Sequence, residues 1–213
     1  MTKRNNVDDV TSNIPGSEGH SRKYGMSTLA VHAGARPDPV TGARGTPIYQ
    51  TTSFVFDDAE HGAELFNLQT FGYVYSRMTN PTVSVFEERV AQLEGGRGAV
   101  ATSSGHAAQF IAAATLMETG DEFIASRNLY GGSVTQFGVS FPKLGWKCNF
   151  VDPTDPENFE KAMNDKVKFI FCEGVANPGG IILDLEKIAD IAHKHGVLLI
   201  VDNTLASPYL LRP

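Results

Sequence analysis

From Asn80 onward, apolar residues fall into two alternating patterns. In NPTVSVFEERVAQLEGG, Val83, Phe86, Val90 and Leu93 recur at intervals of three and four, which places them on one face of a helix. Asn80 is positioned to cap that helix, Pro81 suits its first residue, and Gly95-Gly96 ends it. The pattern then predicts a short strand over Ala99 to Thr102, a helix from about His106 to Glu118, a strand over Glu122 to Ala125, and a helical stretch after Tyr130. It continues with a strand from Lys147 to Val151, a helix around Glu157 to Met163, and the strand KVKFIFCE from Lys166 to Glu173. Asp184 caps a further helix carrying Leu185, Ile188, Ala189 and Ala192 on one face, closed by Gly196 and followed by the strand VLLIV. Continuous apolar strands alternating with amphipathic helices predict an α/β fold, a mainly parallel sheet with helices on both faces.

The chain before Asn80 reads differently. ARPDPVTGARGTPIYQTTSFVF mixes turn formers with aromatics and predicts an extended arm that must pack on something else. Residues 1–24 are polar and rich in Gly, Ser and Asn, the composition of a mobile tail. The expected partition is therefore a tail over 1–24, an arm over 25–80 and a large domain over 81–213. No stretch has the features of a secretory signal or enough apolar length to span a bilayer, which points to a cytoplasmic protein with no membrane partner.

A net charge of −6 without clustered Lys or Arg argues against nucleic acid as a partner. The two cysteines, Cys148 and Cys172, fall in different expected strands without metal-ligand spacing, so buried thiols are expected in place of a disulfide or a metal site. Small molecules and other protein chains remain as partners.

In an open parallel sheet, ligands bind outside the carboxyl ends of the strands. Those ends carry SSGHAA (Ser103 to Ala108, ahead of a helix), NLYGG, EGVANPGG and DNT. Ser104, Gly105 and His106 would stand at a helix N-terminus, either as a simple cap or as an anion cradle built from backbone amides and hydroxyls. GxxxxGK[ST] is absent and GGRG precedes its strand, so neither the P-loop nor the dinucleotide fingerprint fits. Tyr75 and Arg77, two apart in an expected extended segment, offer a phenol and a guanidinium to phosphate oxygens, or form an ordinary exposed edge. Of the histidines, only His106 falls near this expected site; Asp190 and Lys194 have the spacing of a helical surface pair.

Asp202 is the most informative position. A carboxylate ending a buried apolar strand costs free energy unless a donor or cation meets it. It could cap amides of the next turn with Asn203 and Thr204, bind a metal, or face a protonated heterocyclic nitrogen as in pyridoxal phosphate (PLP). No neighbouring cluster of Asp, Glu or His in the sequence supports a metal.

Taken together, VHAGARPDPVTGARGTPIYQTTSFVF, YSRMTNPT, EGGRGAVATSSGHAA, LYGGSVTQF, NPGG and VDNTLASPYLLRP resemble, in order and spacing, the Cys/Met-metabolism family of PLP enzymes. Among its members they are nearest to O-acetylhomoserine sulfhydrylases, and the resemblance runs from about Ser27 to Pro213. It implies a fold-type I PLP enzyme of the aspartate aminotransferase-like class. It also implies a homotetramer of intimate dimers, in which the arm completes a partner's site. Tyr75 and Arg77 would then bind the cofactor phosphate across the dimer interface, with Ser104 and the amides of Gly105 and His106 also around it. Tyr130 would stack on the pyridine ring and assist proton transfer, Asn177 would lie near the 3′-oxygen, Asp202 would pair with the ring nitrogen, and Thr204 would neighbour the ring.

The implied reaction is a γ-replacement, in which O-acetylhomoserine loses acetate and accepts sulfide, or a thiol, to give homocysteine in methionine and cysteine biosynthesis. A related γ-lyase or cystathionine γ-synthase is the enzymatic alternative, and Gly132, where methionine γ-lyases tend to carry cysteine, leans against the lyase. A noncatalytic binding or assembly module is the alternative of another class. The family's Schiff-base lysine follows the VDNT segment in a Ser-Ala-Thr-Lys type motif, whereas no lysine follows Lys194 here. That role is not transferred to Lys187, Lys194 or Arg212, and the 213-residue chain alone is expected to be inactive.

Overall fold

The computed structural model describes residues 24–213, so the expected tail over 1–24 falls outside the described residues except for its last residue. Two compact units divide between Ala101 and Thr102.

Among the described residues the first unit contains three helices: α1 (Met26–His32), α2 (Ala59–Phe66) and α3 (Pro81–Glu94). Asn80 caps α3, its Oδ1 accepting the Thr82 N–H at 2.9 Å, and Gly95 ends it in the left-handed region at φ 71°. The same Asn80 side chain donates to the Tyr49 carbonyl at 2.9 Å and to Ser76 Oγ at 3.0 Å, and Thr82 Oγ1 donates to the Pro47 carbonyl at 2.8 Å. One helix start thus pins two segments of irregular chain, because the arm's backbone groups need partners that no sheet supplies.

The apolar stripe expected on α3 is not the face this unit covers. Phe86 is 59% exposed while Ala91 and Gln92 are buried. Helix α1 packs against α3, and Arg89 donates to the Ala33 carbonyl at 2.9 Å just beyond it.

The second unit is built on four strands, β1 (Glu122–Ser126), β2 (Lys147–Val151), β3 (Val167–Glu173) and β4 (Leu198–Asp202), all paired in parallel in the order β2-β1-β3-β4. Alternate residues serve opposite faces. Phe123, Ala125, Phe169 and Phe171 join a cluster with Phe137, Phe141 and Trp146. Ile124, Ile170 and Cys172 join a second cluster with Phe159, Ile188 and Ala192.

The first face is covered by α4 (Gly105–Leu116) and by a helical run made of α5 (Gly131–Thr135), a π turn (Gln136–Ser140) and a 3-10 turn (Phe141–Leu144). The second face is covered by α6 (Glu157–Lys161) and α7 (Leu185–Lys194), and α8 (Ser207–Leu210) follows β4. Phe123 is fully buried, stacked on Phe169 at 4.7 Å and edge-on to Phe137 at 5.1 Å. Such ring pairs add ~0.5–1.5 kcal/mol each beyond the area they bury.

Two local expectations are corrected. Ala99 to Thr102 form no strand: Val100 is 81% exposed and the Ala101 N–H is taken by Glu87 Oε1 at 2.7 Å, leaving no ladder for it to join. Lys194 bonds Glu160 at 2.7 Å in place of Asp190, because α6 and α7 pack together and bring the Glu160 carboxylate to Lys194 and to His195 Nε2 at 2.9 Å.

At the amino ends of the strands, Glu122 accepts from Asn149 Nδ2 at 2.7 Å, from Asn164 Nδ2 at 3.2 Å and from Lys147 at 3.2 Å. The Asn149 bond, then those from Asn164 and Lys147, holds this carboxyl below the usual glutamate range. A depressed folded-state value contributes stability that is present above the unfolded glutamate value and lost as pH falls through the folded one. The urea midpoint should therefore decline on acidification below ~pH 4.3, and less steeply in Glu122→Gln. Equal acid-side slopes in the two proteins would rule out this contribution.

Candidate active site

The chain runs from β1 to its neighbour β2 on one side, then crosses over to β3 on the other. That reversal opens a crevice at the carboxyl ends of β1 and β3, the usual place for a ligand in an open parallel sheet. A cavity of about 360 Å³ lies there, within the range of small-molecule sites. Ser104, Gly105 and His106 line it from the start of α4, Tyr130 from the loop after β1, and Asn177 from the loop after β3. Asp202 and Thr204 line it from the end of β4. Seven of the nine expected site residues thus meet in one cavity of the second unit.

Ser104 is the N-cap of α4. Its Oγ accepts the Ala107 N–H at 3.1 Å and its carbonyl accepts the Ala108 N–H at 3.0 Å. Of the four amides that a helix start leaves without intrahelical partners, those of Gly105 and His106 remain for the cavity. Capping and anion binding are therefore compatible, since each uses different amides, and the Ser104 hydroxyl proton is still available for donation.

Asp202 Oδ1 accepts from the Thr204 N–H at 3.0 Å and from Thr204 Oγ1 at 2.5 Å, which is the capping role considered for it. Asn203 does not share that role: its Nδ2 donates to the Leu211 carbonyl at 2.7 Å. The other carboxylate oxygen, Oδ2, meets only Gln109 Nε2 among the described residues, at 3.4 Å, so it retains acceptor capacity.

Gln109 lines the cavity and also donates to the buried Ser133 Oγ at 2.9 Å, while its Oε1 is buried without a partner among the described residues. The sequence reading did not single it out. Its signal was the stripe Gly105, Gln109, Ala113, Met117 at steps of four, which sets a carboxamide in line with residues packed on the sheet.

Tyr130 is 53% exposed, with its ring 5.8 Å from that of His106 at 33° between planes. A Cβ added to Gly132 would lie 2.5 Å from His106 Cε1 and 2.6 Å from Tyr130 Cε1, so the two rings close on a place that only glycine leaves open. Glu173, 4% exposed, also lines the cavity and accepts the Tyr130 N–H at 2.6 Å and the Asn177 N–H at 2.8 Å. Its signal in the sequence was the same as that of Asp202, an acid ending an apolar strand.

Tyr75 and Arg77 belong to the first unit. Tyr75 bridges to Ser53, and a turn then begins, with the Met78 N–H donating to the Tyr75 carbonyl at 2.9 Å. The expected extended segment stops at Tyr75. The turn, not strand alternation, sets the Arg77 guanidinium 5.2 Å from the Tyr75 ring centroid.

Burial pushes the Cys148 thiol well up and the Cys172 thiol up to about 12, the latter also beside the Glu173 charge, so both stay protonated and poorly nucleophilic. Among the described residues no group of three His, Cys, Asp or Glu is placed to hold a metal, and no helix is long and apolar enough to cross a membrane.

The family model for Cys/Met metabolism PLP-dependent enzymes matches residues 27–213. The chain belongs to that family.

Curated relatives of this PLP family include an O-acetyl-L-homoserine sulfhydrylase of Leptospira meyeri, 48% identical over 93% of this chain and 45% of the relative. Another is O-acetyl-L-homoserine sulfhydrylase 1 of Thermus thermophilus, 49% identical over 88% of this chain and 45% of the relative. A crystal structure from Campylobacter jejuni, described as an O-acetylhomoserine (thiol)-lyase and carrying N′-pyridoxyl-lysine-5′-monophosphate, superposes with TM-score 0.86 at 38% identity. That superposition covers 89% of this chain and 47% of the other. The chain thus spans a little under half the length of these relatives, and its sheet and helices are those of a fold-type I PLP enzyme.

The cavity suits the family's cofactor by its own chemistry. Two open amides at a helix N-terminus can meet a phosphate, a carboxylate oxygen with spare capacity can meet a ring nitrogen, and a half-exposed phenol ring can face a heterocycle.

Because the rings of His106 and Tyr130 occupy the space beside Gly132, Gly132→Ala must displace at least one of them. Both rings are exposed ends of flexible side chains, so they can move at little cost to stability and the effect falls on the shape of the cavity. A crystal structure of the variant should find at least one ring moved; both rings in place would refute the close approach.

Proposed function

We propose that the cavity holds PLP, with the amides of Gly105 and His106 and the Ser104 hydroxyl on its phosphate, Asn177 beside its 3′-oxygen and Asp202 at its ring nitrogen. Tyr130 lies over the ring, and Thr204, also lining the cavity, neighbours the ring and holds Asp202 by two hydrogen bonds. Tyr75 and Arg77, on the arm over 25–80, serve the phosphate in a second copy's site, within a cytoplasmic homotetramer of intimate dimers; residues 81–213 belong to the cofactor-binding domain. The full-length protein catalyses γ-replacement on O-acetylhomoserine with sulfide or a thiol, giving homocysteine and acetate for methionine and cysteine biosynthesis.

The observation that carries this reading is the pairing of two free helix-start amides with Asp202 around one cavity. PLP supplies, when bound, an electron sink for negative charge developing on the substrate carbons. Each residue then has a limited task. The Asp202 carboxylate holds a proton on the ring nitrogen, and its bonds from Thr204 keep it aimed without reorganisation. The α4 amides and the helix dipole offset the phosphate charge. The Tyr130 phenol, half exposed in the cavity, moves a proton at the leaving group.

The reaction is tested in the full-length polypeptide supplied with PLP, O-acetylhomoserine and sulfide. Homocysteine and acetate should form in equal amounts, and dominant α-keto acid release from methionine would favour a γ-lyase instead. Asp202→Asn should lower kcat on the order of 100-fold, the scale of losing one preorganised electrostatic partner; an unaffected kcat would remove Asp202 from the ring nitrogen.

A further inference from the structure

We infer that Glu173 is a positioning residue for the cofactor cavity, its carboxylate clamping the loops of Tyr130 and Asn177 by their backbone amides. This rests on the PLP reading of the same cavity.

Glu173 is 4% exposed and pairs with no Lys, Arg or His among the described residues. A buried carboxylate without a cation is costly unless strong donors meet both oxygens. Here Oε1 takes the Tyr130 N–H at 2.6 Å and Oε2 takes the Asn177 N–H at 2.8 Å. These are charge-assisted bonds at the short end of their range. They join two loops far apart in sequence, one leaving β1 and one leaving β3, and both loops present side chains to the cavity. A glutamine would satisfy one amide and turn its own NH₂ on the other, so the site requires an acid and not merely a polar group.

The neighbouring acid sharpens the assignment. Glu173 and Asp202 are register partners on adjacent parallel strands, and their side chains emerge on the same face of the sheet. Two carboxylates this close would compete for a single cation. The difference lies in what each already meets: both Glu173 oxygens take short bonds from backbone amides, at 2.6 and 2.8 Å, whereas Asp202 Oδ2 meets only the 3.4 Å contact of Gln109 among the described residues. Glu173 therefore sets the cavity's shape and Asp202 is left to meet the ligand's positive charge.

The test is a double-mutant cycle on the full-length polypeptide, read as the dissociation constant for PLP by fluorescence titration of the apoprotein and as the circular dichroism of the bound cofactor. Glu173→Gln alone should weaken PLP binding roughly tenfold and alter the dichroic band. In a Tyr130→Ala background the same change should weaken binding much less, since contacting groups that act through one another are non-additive. Fully additive losses would mean a merely structural role and overturn the inference, as would an unchanged dissociation constant and spectrum. If Glu173→Gln does not fold, Glu173→Asp, which keeps the charge but falls short of both amides, carries the same expectation. Failure of the unsubstituted protein to bind PLP would overturn the cofactor reading itself, which separates that failure from failure of the clamp.

Discussion

A strand buried on both faces has no place for an ionised side chain until it ends. In β3 that constraint is met: its apolar run finishes in Glu173, in register with Asp202 at the end of the half-buried β4, and the chain turns into loops at once. The carboxylates that the strands carry, Glu122, Glu173 and Asp202, thereby stand at the rims of the sheet. At the amino rim Glu122 ties β1 to β2 and to the loop before β3 through side chains. At the carboxyl rim the strand-order reversal between β1 and β3 leaves room for a cavity, and α4 arrives there by its N-terminus.

Packing makes that rim rigid enough to be useful. Phe123, Phe137, Phe141 and Phe169 interlock between the sheet and the helical run over Gly131–Leu144, so the loop after β1 is anchored on both sides of Tyr130. On the opposite face α6 and α7 are joined by the Glu160, Lys194 and His195 cluster. The direction of Asp202 is then set by the Thr204 main-chain N–H and hydroxyl on one oxygen and by the Gln109 side chain on the other. The family match and the fold rest on this unit together with the arm, over a chain spanning a little under half of its relatives.

The strands and helices after Asn80 were largely legible because each carries its own periodic signal. Asp202 was legible because a charge interrupts an apolar run. Glu173 carried the same signal and was passed over, since sequence does not reveal that the distant Tyr130 amide converges on it with the local one of Asn177. Gln109 was hidden for a related reason: a glutamine in a helix is ordinary until the stripe it belongs to is known to face a sheet rim. The Ala99 to Thr102 segment misled because β propensity alone cannot say whether a neighbouring strand exists. The meeting of Tyr75 and Arg77 was anticipated, but on the wrong geometry, since a turn set by main-chain bonds replaced an extended segment.

The bonds that Glu173 accepts come from main chain only. An anchor of that kind is blind to the side chains it presents. The identities at positions 130 and 177 can drift, and with them what the cavity prefers to hold, while the grip on both loops stays the same. The scaffold and the selectivity of the cavity are in this sense inherited separately: one is written in a single acid, the other in the residues that acid carries into place.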